Sequence, residues 1–172
     1  TLELSSAASD VYKRQKYLAV ATIQAFIIIG TLFLYYFVDI LAMGRGWAWI
    51  LDTFPMFLTT VFCAILLVVT YTSIGLALSS VSRGKFFPGI ALLALLLGTK
   101  TLAAIVEGLF DRSILYLISP YDSVAHVGQA LIGTNVVYDH PWIWSLASVV
   151  AINAIALYVL SVRVSSMEVT RE

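Results

Sequence analysis

The chain has 172 residues, of which 60% are hydrophobic and 12% charged; a soluble domain carries roughly 45–50% and 25%, so the composition is that of a membrane protein. Ten basic and ten acidic side chains cancel, which excludes a basic surface for nucleic acid and leaves the distribution of charge along the chain as the useful signal. The single cysteine, Cys63, excludes an intrachain disulfide.

The first segment, TLELSSAASDVYKRQ, fits neither a secretory signal nor a transit peptide. Ser5 to Gln15 translates, codon for codon, a transposase adapter used in sequencing libraries. Residues 1–15 are therefore expected to be non-native, with a disordered or arbitrary conformation. Native sequence is expected from about Lys16, as the C-terminal part of a longer protein.

Four apolar stretches then follow, each long enough as a helix to cross a hydrocarbon core of about 30 Å. They cover about 17–38, 55–78, 86–110 and 142–162. Uninterrupted apolar runs of this length predict helices, since backbone groups in lipid must be satisfied internally. The expected fold is all-α and polytopic, a single transmembrane domain without strands. Between the first two helices, DILAMGRGWAWILDTF is expected to lie along the membrane interface, with Pro55 opening the second helix. Trp47, Trp49, Trp142 and Trp144 fall where an aromatic belt belongs. The turn Ser79 to Lys85 is short and basic, making the second and third helices a tight hairpin.

After the third helix comes FDRSILYLISPYDSVAHVGQALIGTNVVYDHP. Ser119 reads as an N-cap, Pro120 as the first helical residue and Asp122 as a capping-box acid. A short helix over about 120–132, ended by Gly133, should follow another over about 112–118. Both are too short to span and predict an interfacial or re-entrant hairpin. Basic residues place Lys16, Arg83, Lys85, Arg163 and Arg171 on one side, expected to be cytoplasmic, and the hairpin on the other.

Several chemistries are missing. Gly84-Lys85 is followed by Phe86, so there is no P-loop. Both histidines, His126 and His140, lie outside the spanning stretches, where they cannot be haem ligands within the bundle. No HExxH is present, nor a Ser/His or paired-Asp arrangement within the spans, so no catalytic residue and no metal ligand is expected. The polar residues that do fall in the membrane are Lys100, Glu107 and Asn153, with Gln24 and a Thr-rich second helix. Lys100 and Glu107, two helical turns apart, share a face, and ionisable groups at such depth normally face a bundle interior or a wet cavity. They are candidates for a substrate pathway, with Asn153; Asn153 and the threonines also suit interhelical hydrogen bonding.

GLALSSVSRGK, YLISPYDSVAHVGQALIG and a last helix ending SVRV, in this order and spacing, resemble the permease subunits of type 2, exporter-class ABC transporters. The resemblance covers the last four of that family's six helices, over about Lys16 to Glu172. It implies a membrane-spanning permease without an ATP site or cofactor of its own, ATP being held by a cytoplasmic ABC ATP-binding subunit. It further implies a second permease copy, identical or not, in the lipid bilayer of a bacterial or archaeal cytoplasmic membrane. Ser82, Arg83, Gly84 and Lys85 map onto the turn that faces the ATPase. The outer gate hairpin maps onto roughly Asp111 to Gly133, with Ser119, Pro120, Tyr121 and Asp122 at its break. The competing expectation is a non-transporting membrane anchor or assembly subunit of a larger complex.

Overall fold

The computed structural model describes residues 2–82, 84, 86–135 and 137–169. Five α-helices follow one another: α1 (Leu2–Ala42), α2 (Trp47–Val81), α3 (Phe87–Phe110), α4 (Pro120–Ile132) and α5 (Trp142–Val169). A 3₁₀ turn, Ile114–Ile118, stands between α3 and α4, and no strand occurs among the described residues. α1, α2, α3 and α5 are long and apolar enough to cross a membrane. The protein is thus an all-α integral membrane protein.

α2 is the central helix. Among the described residues it packs against α1, α3, α4 and α5, whereas α1 packs on α2. The most apolar window of α2 is 39% buried, that of α1 0%. On one half of the bundle the core is apolar, with Ile74 and Ala77 of α2 against Ala156 of α5, flanked by Leu92 and Leu95 of α3. Next to it on α2 comes a hydroxylic turn, with apolar Val68 and Ala64 buried beyond it. Thr70, Thr72 and Ser73 are fully buried, and each bonds across a helix interface. Thr72 donates to Gln24 Oε1 at 2.7 Å, Tyr17 Oη meets Ser73 Oγ at 3.2 Å, and Asn153 Nδ2 donates to Thr70 Oγ1 at 2.8 Å. Such bonds are worth about 0.6 to 2 kcal/mol each where lipid offers no hydrophobic drive between helices.

Three expected boundaries differ. α2 begins at Trp47, leaving Pro55 inside the helix rather than at its start. Proline removes the hydrogen bond to the Leu51 carbonyl. Packing on α1 offsets the loss: Tyr36 stacks on Trp49 and Phe57, with centroids 5.8 and 4.4 Å apart, and its hydroxyl lies 3.0 Å from Thr53 Oγ1. The segment expected along the interface is therefore split between the end of α1, a four-residue turn and the first two turns of α2. α1 is helical from Leu2, through residues expected to be disordered or arbitrary; Leu, Glu, Ala, Lys and Arg there are good helix formers. α5 likewise carries its helix through Val169, past the apolar stretch.

α4 starts and stops where its sequence signals stand. Ser119 Oγ accepts from the Asp122 N–H at 3.4 Å, Pro120 occupies the first helical position, and Gly133 caps the C-terminus at φ 76°. The preceding segment is a 3₁₀ turn rather than an α-helix. It is entered through Asp111, which ends α3 at φ 52°, a left-handed conformation that Asp tolerates.

Candidate functional site

The hairpin dips into the bundle. Tyr116 of the 3₁₀ turn donates to Glu107 Oε2 at 2.7 Å, and Lys100 Nζ lies 3.9 Å from Asp122 Oδ1 at the start of α4. At 1.5 Å per residue, Lys100 is rooted about 15 Å below the Phe110 end of α3, and the first turn of α4 comes within reach of its side chain. From there α4 climbs back between α2 and α5.

Asp122 is the anionic centre of the site. Its side chain is 7% exposed and that of Lys100 52%. The Ser119 hydroxyl donates to Asp122 Oδ2 at 2.5 Å, and the Tyr138 hydroxyl donates to Oδ1 at 3.4 Å. The capping-box acid thus accepts a hydrogen bond from the hydroxyl of its own N-cap, and its charge lies at the helix end that favours anions. Lys100 Nζ also stands 4.8 Å from the Tyr121 ring centroid.

One turn along α4, His126 is buried. Its Nδ1 lies 2.8 Å from Ser145 Oγ, on the first turn of α5, and His140 Nε2 approaches the same oxygen at 3.1 Å. Tyr138 packs its ring 4.7 Å from that of His126. The 137–140 connection is held further by Asp139 N–H, which donates to Ser113 Oγ at 2.8 Å. Ser148 of α5 donates to the Leu117 carbonyl. Burial, and then the neighbouring His140, lower the His126 pKa; burial lowers that of His140 against the opposing pull of Asp139. The hydrogen bond to Glu107, with burial and the nearby negative charges, pushes the Tyr116 phenol up to about 12. Burial and Asp122 raise that of Tyr138.

The residues singled out by sequence divide into three places. Ser119, Pro120, Tyr121 and Asp122 gather at the foot of the hairpin with Lys100. Lys100 and Glu107 face the same hairpin but take different partners, Asp122 and Tyr116, and form no pair with each other. Asn153 bonds Thr70 and the Val149 carbonyl, away from both. At the α2–α3 turn, Ser82 Oγ donates to the Gly84 carbonyl at 3.1 Å; Arg83 and Lys85 lie outside the described residues.

Sequence reasoning weighed His126 and His140 only as haem ligands and named neither Ser145 nor Tyr138. The signal for one of them was present: Asp122 and His126, four apart, occupy one face of α4. Between α2 and α4 lies an open cavity of about 270 Å³, bordered by Cys63, Leu67, Tyr121 and Gln129. No group of His, Cys, Asp and Glu among the described residues could hold a metal ion. No family model matches the chain, and no curated protein or solved structure matches it either.

Proposed function

We propose that the protein is the membrane-spanning permease subunit of an ATP-driven exporter of the type 2 ABC class. It works with a second permease copy and a cytoplasmic ATP-binding subunit that holds the ATP. In this reading the native ends of the chain and the Ser82 to Lys85 turn are cytoplasmic, in a bacterial or archaeal plasma membrane. The α3–α4 hairpin then closes the outer end of the pathway.

The observation that supports the reading best is the re-entrant hairpin. Its break at Ser119–Pro120 sits deep in the bundle with a buried carboxylate. Irregular backbone at membrane depth is tolerated where it is enclosed by protein or lines a cavity, and an ionisable group there marks a pathway or its gate by default. Lys100, half-exposed beside that carboxylate, is the group a passing substrate would meet.

The test is coupling. The complete native subunit, co-expressed with the P-loop ATPase encoded beside its gene, should copurify with that ATPase and stimulate its ATP hydrolysis in the presence of substrate. Replacing Arg83 and Lys85 by Glu should abolish most of that stimulation while the subunit still inserts, checked separately because basic residues also set topology. Failure to find any ATPase partner would return the chain to the anchor or assembly reading.

A further inference from the structure

Ser145 Oγ is shared by two imidazoles that come from different segments, His126 from α4 and His140 from the connection before α5. All three residues are buried. A hydroxyl has one proton to give and two lone pairs. It can donate to one ring nitrogen and accept from the other, an arrangement that needs both imidazoles neutral and in complementary tautomers. The buried His140 Nδ1 has no hydrogen-bond partner, which favours His140 donating through Nε2–H to Ser145, and Ser145 donating to His126 Nδ1.

Either added proton breaks this set. On His140 it would create an N–H at Nδ1 with no acceptor. On His126 it would make Ser145 accept from both rings, so that the hydroxyl proton loses its acceptor on His126 and must turn elsewhere. An unsatisfied buried donor costs about 1 to 3 kcal/mol, and an added charge in this site costs more.

We infer that His126, Ser145 and His140 form an acid-released clasp: with both histidines neutral it holds α4 and the 137–140 connection on α5, and protonation frees the hairpin from the bundle. The surrounding charges set how far acid must go. Asp122 of α4 and Asp139 of the connection favour protonation, with Asp122 already engaged by Lys100 of α3, Ser119 and Tyr138. Glu107 of α3 is occupied by Tyr116 of the 3₁₀ turn, α2 brings Tyr71 towards Asp122, and α5 contributes Ser145. An open clasp returns each histidine to its ordinary pKa of about 6.5. Above that pH the closed form is fully favoured. One unit below it, the open form gains up to about tenfold per histidine, because only the open form binds the protons. This holds whichever side of the membrane the hairpin faces and whether or not the protein is a permease.

The protein carries its own reporter. Cys63 of α2, part-exposed at the cavity between α2 and α4, has its Sγ 3.1 Å from where a side-chain carbon on Gly128 would stand, so lifting α4 uncovers the thiol further. The comparison is between the wild-type chain and His126→Asn/His140→Gln, which keeps an acceptor and a donor of similar reach but cannot be protonated. Both are alkylated at Cys63 in lipid nanodiscs at the same pH, so thiol ionisation cancels. The wild-type rate should equal that of the variant at about pH 7.5 and exceed it by roughly tenfold or more at about pH 5.5. Equal rates at both pH values would overturn the clasp. Should the variant not fold, hydrogen exchange of the wild-type chain decides, after correction for the intrinsic pH dependence. Protection of α4 amides should fall between about pH 7.5 and 5.5 while that of Ile74 to Ala77 in the core holds; unchanged α4 protection would sink the idea.

Discussion

Asp122 and Lys100 are unequal partners. Asp122 accepts from Ser119 and Tyr138 as well as facing Lys100, so losing Lys100 leaves the carboxylate with two hydroxyl donors. Lys100 is half-exposed, and if that side faces the wet pathway proposed above, a pair with one solvated member contributes little. Lys100→Met should therefore cost about 0.5 kcal/mol or less, while Asp122→Ala, which strands Ser119 and Tyr138 in a buried site, should cost about 2 to 3 kcal/mol. Unfolding in mixed micelles measures both. Equal losses would show that the ion pair dominates. Transport by Lys100→Met reports on the pathway separately, since the fold is expected to survive the change.

Between elements, α4 lies close against α2 at Gly128. A methyl group there would press on Cys63 Sγ at 3.1 Å, and overpacking of this kind costs about 1 to 3 kcal/mol. Against it stands the gain of about 0.5 to 1 kcal/mol when a helical Gly becomes Ala. Gly128→Ala should be mildly destabilising in the wild-type chain and stabilising in a Cys63→Ala background. A double-mutant cycle on thermal unfolding reads the sign change; additive effects would mean that α2 and α4 can move apart freely at this level. The same contact explains why α4, amphipathic and only Pro120–Ile132 in length, is a stable element at all. It has α2 on one side and α5 on the other.

For the molecule as a whole, the distribution of basic residues predicts the hairpin on the outer side of the membrane and the α2–α3 turn inside. Asp122 is too buried to report on this. Val137, 68% exposed on the connection before α5, is the suitable position on that side, and the exposed Gly84 on the other. In a Cys63→Ala background, Val137→Cys should be labelled by a membrane-impermeant maleimide in intact cells, and Gly84→Cys only after lysis. The reverse pattern would invert the topology and remove the support that orientation lends to the permease reading.

The four spans, the all-helical class and the limits of α4 follow from sequence alone, because each rests on local causes: apolar length against bilayer thickness, and Ser119, Pro120 and Gly133 as start and stop signals. Pro55 misled for a related reason. As an isolated signal it marks a helix start, and only Tyr36, arriving from α1 to pack on Trp49 and Phe57, makes the longer α2 favourable. Partner choice was likewise beyond sequence. Lys100 and Glu107 share a face at their spacing, yet the depth to which the hairpin folds back brings Asp122 to the first and Tyr116 to the second. His126, His140 and Ser145 meet only because α4, the 137–140 connection and α5 converge on one point. Hydrogen bonds between elements depend on how those elements dock, and docking is set by the packing of all the helices together.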